Sequence, residues 1–120
     1  MRENFELRIR EFSKLKQGWN YGKGEPFSEV HIELAVQLAK RYFKSHGFSV
    51  SGTPKEDGSI DLTFNKNDHF IDVKILPNSH KVSVLYCKGI GKNRIEESWG
   101  TVDISKLDNI FEEFKEVVTD

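Results

Sequence analysis

The sequence predicts an α+β domain in which a four-stranded antiparallel meander packs against helices, in the chain order α-α-β-β-β-β-α. Two observations support this fold class. Apolar residues recur with helical spacing before residue 46 and again after residue 105. Between residues 60 and 86 the apolar period changes to two, and turn-forming tetrads separate the alternating runs. With 120 residues the chain has the size of one domain, which we expect to cover residues 1–120.

Three amphipathic helices are predicted. The first covers residues 3–17, and the second begins after Ser28, a favourable N-cap, and runs to about residue 45. The third begins after Asp103 or Ser105. The expected apolar stripe of the first helix is Phe5, Ile9, Phe12 and Leu15 or Lys16. That of the second is broad, with Val30, Leu34, Leu38 and Tyr42 on the stripe and Ala35, Ala39 and Phe43 beside it. That of the third is Leu107, Ile110, Phe111, Phe114, Val117 and Val118.

The central strands are predicted to share one apolar face. The residues expected on it are Ile60, Leu62, Phe64, Ile71, Val73, Ile75, Val82, Val84 and Tyr86. A turn centred on residues 66–67 would place Leu62 opposite Ile71 and Asp61 opposite Asp72. A one-residue slip would scatter the apolar set over both faces, so the pattern favours this arrangement.

The strands at either end of this region are less sharply defined. A turn centred on residues 78–79 would place Val73 opposite Val84. Residues 48–50 either form a further short strand or lead into the first one, and the last strand covers residues 95–102. On the opposite face, Phe70, Leu85 and Cys87 are expected to be neighbours, and they are either covered or form a binding patch.

Composition excludes several classes of protein. Charged residues make up 31% and apolar residues 37%, as in globular rather than disordered chains. No apolar run approaches the ~20 residues that span a bilayer, so no membrane partner is expected. Without an apolar segment at the N-terminus, and with Cys87 alone, we expect a reducing cytoplasm. The four histidines do not pair with this cysteine at metal-ligand spacing, so neither metal nor cofactor is expected.

Charge is distributed unevenly along the chain. Residues 1–94 carry 16 Lys and Arg against 11 Asp and Glu, whereas residues 95–120 carry 2 against 8. This asymmetry is milder than the clustered basic face of a nucleic-acid-binding domain. Binding of nucleic acid, or mimicry of DNA by the acidic last helix, is therefore an alternative rather than the favoured function.

The loop at residues 18–28 combines three glycines, a proline and three large aromatic residues. Glycine permits positive φ and close backbone approach, and proline fixes φ near −65°. A simple spacer would not need Trp19, Tyr21 and Phe27, so we interpret the loop as folded onto the domain with its rings packed. The same rings are also candidates for contacting a partner.

The loop resembles one found in short bacterial and phage proteins without an assigned function. Their hallmark is approximately Gly-Trp-Asp-Gly-Tyr-Gly, then Pro and Ser opening a helix, then a strand that begins Asp-Gly-Ser-Ile. The matching residues are Gly18, Trp19, Asn20, Tyr21, Gly22, Pro26, Ser28, Asp57, Gly58, Ser59 and Ile60. Here Asn20 directly precedes Tyr21, without the intervening glycine. The resemblance covers about two thirds of the chain and implies an α+β fold but no catalytic residue.

One chemical hypothesis is a Mg²⁺-dependent nuclease. Asp61, followed after ten residues by Asp72-Val73-Lys74, resembles the Asp…(Asp/Glu)-x-Lys signature of restriction-endonuclease-like enzymes. Opposed carboxylates can hold Mg²⁺, and Glu33 or Glu29 on the second helix would complete the set. Against this, that nuclease core has a helix after the lysine strand, where this sequence predicts a tight turn and an antiparallel strand.

The favoured function is a small non-catalytic protein-binding module of the antitoxin, immunity or phage-inhibitor kind. It rests on the small size and expected cytoplasmic location of the chain, and on its aromatic and basic loops, which are typical of interfaces. The residues expected to contact a partner are Trp19, Tyr21, Lys88, Lys92, Arg94 and Trp99.

Overall fold

The computed structural model describes residues 4–46, 48–66, 69–77, 81–88 and 95–112. The helical elements are α1 (Asn4–Arg10), a 3₁₀ turn (Glu11–Lys14), α2 (Glu29–His46), a second 3₁₀ turn (Ile104–Lys106) and α3, helical over residues 107–112. The strands are β1 (Ser49–Pro54), β2 (Ile60–Lys66), β3 (His69–Ile75), β4 (Lys81–Lys88) and β5 (Ile95–Asp103). The α+β class is confirmed. The predicted order with four strands is wrong, because the sheet has a fifth strand, β1. Its first residues belong to the segment 48–50, which the sequence left open between a further short strand and a lead-in.

The sheet is an antiparallel meander in the order β1-β2-β3-β4-β5. All nine residues predicted on the apolar face are buried. The pairing of Val73 with Val84 is also as predicted. The register of the first turn is wrong by two residues, since Leu62 pairs with Val73 and Asp61 with Lys74. A shift of two keeps every side chain on its face, so the apolar pattern could not distinguish the two registers.

The sequence of strand β1, SVSGTP, shows little of the apolar alternation that predicts a strand. It pairs with β2 from Ser49 to Pro54. Gly52 is buried because Ile9 of α1 lies on it, and a Cβ at Gly52 would stand 2.7 Å from Ile9 Cγ1. The helix therefore takes the place that a side chain of the strand would otherwise fill.

Helix α1 is shorter than predicted, because the α-helix ends at Arg10 and continues as a 3₁₀ turn to Lys14. Its predicted stripe of Phe5, Ile9 and Phe12 is buried. Arg10 bridges α1 to α2 through a 2.8 Å contact with Glu33.

Helix α2 begins as predicted, since the backbone N–H of His31 donates to Ser28 Oγ at 3.2 Å. Its predicted stripe is rotated, because Val30 is 75% exposed. The buried line is Ile32, Ala35, Val36, Ala39 and Tyr42. Ala35, Ala39 and Tyr42 were predicted on the apolar face and are buried, and the two alanines allow the helix to lie close to its neighbours.

Helix α3 closes the core through aromatic contacts. The rings of Tyr42 and Phe111 stack at 3.8 Å, and Phe64 meets Phe111 edge-on at 5.1 Å. The Tyr42 hydroxyl donates to Asp108 at 2.8 Å. Burial of the phenol, and to a smaller extent the hydrogen bond to this carboxylate, raises the pKa of Tyr42. Phe114, Val117 and Val118 lie outside the described residues.

The opposite face of the sheet carries polar side chains from β2 and β3. Cys87 is buried there, whereas Phe70 and Leu85 are half-buried. Among the described residues, no helix has both the length and the apolar character needed to cross a membrane.

Candidate functional site

The loop between α1 and α2 folds into a small hairpin, residues 18–24. Gly18 N–H donates to the Gly24 carbonyl at 2.8 Å. Asn20 and Lys23 exchange two backbone hydrogen bonds, of 2.6 and 3.0 Å, leaving Tyr21 and Gly22 as a two-residue tip. Their φ angles are +54° and +88°. Positive φ at both central residues is the requirement of a type I′ turn, which suits the twist of a two-stranded hairpin.

Trp19 braces this hairpin, as the packing interpretation predicted. Its Nε1–H donates to the Glu25 carbonyl at 2.9 Å, and its ring lies 6.1 Å from that of buried Phe27. Gly24, at φ +112°, makes room for the indole, because a Cβ there would stand 2.6 Å from Trp19 Nε1. The glycine and the tryptophan therefore form one packed unit at the base of the hairpin.

The base of the hairpin is attached to the turn between β1 and β2. Glu25 N–H donates to the Glu56 carbonyl at 2.9 Å. Within that turn, Asp57 Oδ1 accepts from the backbone and the hydroxyl of Ser59. These hydrogen bonds, with the charge of Lys74, lower the pKa of Asp57. The two parts of the chain that carry the family resemblance are thus in contact.

Tyr21 does not pack, contrary to the interpretation that all three rings fold down. Its side chain is 101% exposed at the tip of the hairpin. It is also the only non-glycine residue with positive φ in the described part of the chain. For a bulky residue this left-handed conformation is unfavourable, and Asn or Gly would suit the turn better. The fold therefore gives no reason for a tyrosine at this position.

The other predicted contact residues lie elsewhere. Lys88 is exposed at the end of β4, and Trp99 is half-buried against the core. Trp99 is the extra residue of a bulge in β5, since Val84 pairs with Gly100 but Leu85 pairs with Ser98. The glycine inside this strand is the sequence signal for such a bulge. Lys92 and Arg94 lie outside the described residues.

The hairpin and Lys88 lie at opposite ends of the sheet. The hairpin contacts the turn that precedes Ile60, whereas Lys88 pairs with His69, which in turn pairs with Lys66. The length of β2 that separates these two ends is about 20 Å. The structure therefore does not bring Tyr21 and Lys88 together on one surface.

The carboxylates of the nuclease hypothesis lie on the sheet face away from the helices. Asp61 stands opposite Lys74 rather than opposite Asp72, which corrects the predicted pairing. Asp61 Oδ2 lies 3.4 Å from Lys55 Nζ, and Asp72 Oδ1 accepts from the Thr63 hydroxyl at 3.2 Å. Both carboxylates therefore have partners of the kind found on an ordinary polar sheet face.

Two features of this face are unfavourable for its carboxylates. Burial, and then the charge of Asp61, raise the pKa of Asp72. Asp61 Oδ1 is buried without a hydrogen-bond partner in the described part of the chain. The two carboxylates are therefore close enough to repel each other, as diagonal neighbours on adjacent strands are.

Glu33 does not join this pair. It lies on α2, which packs against the other face of the sheet, and it lines a cleft of about 300 Å³ with Arg10 and Ser13. A hydrogen bond from the Arg10 guanidinium, and to a smaller extent one from Gln37, lowers the pKa of Glu33. Within the described ranges, no three His, Cys, Asp or Glu side chains come together as metal ligands would.

Comparison of the chain with protein-family models, with curated proteins and with solved structures finds no match. The resemblance of the hairpin loop to that of short bacterial and phage proteins stays a prediction. Function must therefore be argued from the geometry of these two regions.

Proposed function

We propose that this protein is a small protein-binding module of the antitoxin, immunity or phage-inhibitor kind, and that the hairpin tip is its principal contact. The observation that carries the proposal is the state of Tyr21, which is fully exposed and in a left-handed conformation on a braced hairpin. Exposed aromatic residues on fixed loops are characteristic of interfaces, where tyrosine is enriched.

The energetics of Tyr21 support this assignment. A left-handed conformation costs an ordinary L-residue about 1–2 kcal/mol. A side chain that is 101% exposed makes no packing contribution to offset that cost. Strain of this kind clusters at functional sites, where binding uses the strained group. A partner that buries the phenol ring would supply the missing compensation.

Replacement of Tyr21 by asparagine separates binding from folding. Asparagine tolerates positive φ, so Tyr21→Asn should stabilise the fold by a few tenths to about 1 kcal/mol in urea denaturation. The tagged variant should lose the partner that the parent protein retains on affinity purification from the cells that make it.

The matched control is Leu7→Gln, which removes another exposed apolar side chain, 69% exposed on α1. It should leave partner capture unchanged. Equal capture by the parent protein and Tyr21→Asn would refute the hairpin as the contact. A destabilised Tyr21→Asn variant would instead show that the tyrosine serves the fold.

A Mg²⁺-dependent nuclease is the second candidate, favoured by the repulsion that Asp61 exerts on Asp72 and by Asp61 Oδ1, which is buried without a hydrogen-bond partner among the described residues. A divalent cation would relieve the repulsion between the carboxylates and give that oxygen a partner. The position of Glu33 on the other side of the sheet removes the third ligand that the motif needs.

The nuclease hypothesis is tested by measuring cleavage of plasmid and single-stranded DNA by the purified protein, with and without Mg²⁺. Cleavage that requires Mg²⁺ and is lost in Asp72→Asn would support it. Asp103→Asn, which changes an exposed aspartate on β5, is the control and should be neutral. The absence of Mg²⁺-dependent cleavage, or cleavage unchanged in Asp72→Asn, would exclude this candidate.

A further inference from the structure

The surroundings of Tyr21 carry a consistent charge. Residues 13–24, from the end of the 3₁₀ turn through the hairpin, contain three lysines and no acidic residue. Lys14, Lys16 and Lys23 are all exposed, and none of them forms an ion pair with another described residue. Lys23 is adjacent to the tip, since its backbone pairs with that of Asn20.

Residues 18–24 contain no acidic residue, and the first one after them, Glu25, lies at the base of the hairpin. Glu25 accepts from Gln17 Nε2 at 3.4 Å, and its backbone joins that of Glu56 in the turn between β1 and β2. The hairpin therefore presents an exposed aromatic ring with Lys23 next to its tip and Lys16 just before its base, and neither lysine has a carboxylate partner within the described ranges.

The same chemistry occurs in proteins that stack nucleic-acid bases, but the rest of the molecule does not support that use. Single-strand binding needs a positively charged groove that follows several phosphates and usually more than one stacking ring. Here the sequence pI is about 6.4, and the neighbouring Trp19 is held against Gly24 and Phe27. A few lysines release too few counterions to hold nucleic acid at physiological salt.

We infer that the hairpin inserts Tyr21 into an apolar pocket of an acidic protein, with carboxylates at the rim of that pocket meeting Lys16 and Lys23. This rests on the proposed function and adds the chemical class of the partner. The phenol ring supplies the buried anchor, and the lysines supply orientation and a faster encounter at low salt.

The test is a photoreactive p-benzoylphenylalanine placed at position 21 of the full chain and irradiated in the cells that make the protein. The same probe at position 7, on the exposed Leu7 site, is the control. We expect a protein adduct from position 21 alone, attached to a segment rich in carboxylates beside apolar residues. The partner so identified is then purified for titration.

Charge reversal then tests the lysines. Lys16→Glu combined with Lys23→Glu should weaken binding about tenfold or more at low salt, with the loss mainly in the association rate. Lys106→Glu, on an exposed lysine of the second 3₁₀ turn, should change it less than about twofold at physiological salt, where charges are screened beyond about 8 Å. The hairpin is attached to the turn between β1 and β2, whereas Lys106 follows β5 at the other edge of the sheet.

Different failures have different meanings. A protein adduct on a segment without carboxylates, together with no effect of the double reversal, overturns the acidic partner but leaves the proposed function standing. An adduct with nucleic acid, or with a second copy of this chain, overturns the inference and identifies the alternative occupant. If no adduct forms at position 21, both the inference and the proposed function are refuted.

Discussion

Because Gly24 and Trp19 pack against each other, adding one methyl group at position 24 should destabilise the fold. In Gly24→Ala the new Cβ would stand 2.6 Å from Trp19 Nε1, so the indole must move and lose its bond to the Glu25 carbonyl. The loss of that bond costs about 1 kcal/mol. The left-handed backbone at φ +112° adds about 1–2 kcal/mol for alanine. The total, about 2–3 kcal/mol, corresponds to about 8–12 °C in Tm for a chain of this length.

Urea denaturation followed by far-UV circular dichroism measures this loss, and the emission maximum of tryptophan fluorescence reports displacement of the ring. Gly22→Ala is the matched control, because it also has positive φ, +88°, but a Cβ there meets nothing within 4 Å. It should cost only about 1 kcal/mol of backbone strain. In a Trp19→Ala background the destabilisation caused by Gly24→Ala should likewise be reduced to backbone strain, because the indole is absent. Equal losses in Gly22→Ala and Gly24→Ala, or an unchanged loss in that background, would refute the packed unit.

Three further substitutions test the rest of the fold by urea denaturation. Asp72→Asn should stabilise the protein at pH 7 by a few tenths to about 1 kcal/mol, because it removes a charge that burial disfavours and that Asp61 repels. Because the folded-state pKa is raised, the carboxyl destabilises the fold above its ordinary value of 3.8, so the gain should vanish below about pH 4. Gly52→Ala should cost about 1–3 kcal/mol by collision with Ile9, and the same substitution should cost less in an Ile9→Ala background, which lacks the Cγ1 atom that stands 2.7 Å from the new Cβ. Ser28→Ala should cost about 1 kcal/mol through loss of the N-cap of α2, and no measurable loss would contradict that role.

The predictable part of the fold was the part in which one side of an element is buried and the other is not. The apolar face of β2, β3 and β4 followed from alternation alone, because a single-residue slip would expose every core side chain. The register of the first hairpin was not predictable in the same way. Shifting Leu62 from Ile71 to Val73 preserves the face, so only the length of the connecting turn distinguishes the two.

Helix α2 and strand β1 show two other limits. On α2, the stripe that includes Val30 and the stripe that includes Ile32 have equal helical spacing, and the choice depends on how closely the helix approaches its neighbours. In β1, the core position is Gly52, whose space is filled by Ile9 from another element. A strand whose buried position has no side chain carries no hydrophobic signal.

At the candidate site, the composition of the loop indicated that its aromatic residues matter but not which of them would pack. Trp19 and Tyr21 are two residues apart, yet one braces the hairpin and the other is fully exposed. Their separation depends on the φ angles of the glycines and of Tyr21, which composition does not determine. The nuclease motif is a related case, since spacing along the chain gave no information on which face of the sheet Glu33 would occupy.

The same arrangement explains how one exposed ring can support specific binding. Trp19 and Gly24, together with the bond from Glu25 to Glu56, fix the hairpin before any partner arrives. The entropy of ordering the loop is therefore lost on folding and not on association, which raises affinity for a given contact area. A tyrosine side chain has only two χ angles to immobilise, so little further entropy is lost when its ring is buried. Weakening the brace should thus reduce affinity without touching the contact residue, whereas replacing Tyr21 should reduce affinity and leave the brace intact.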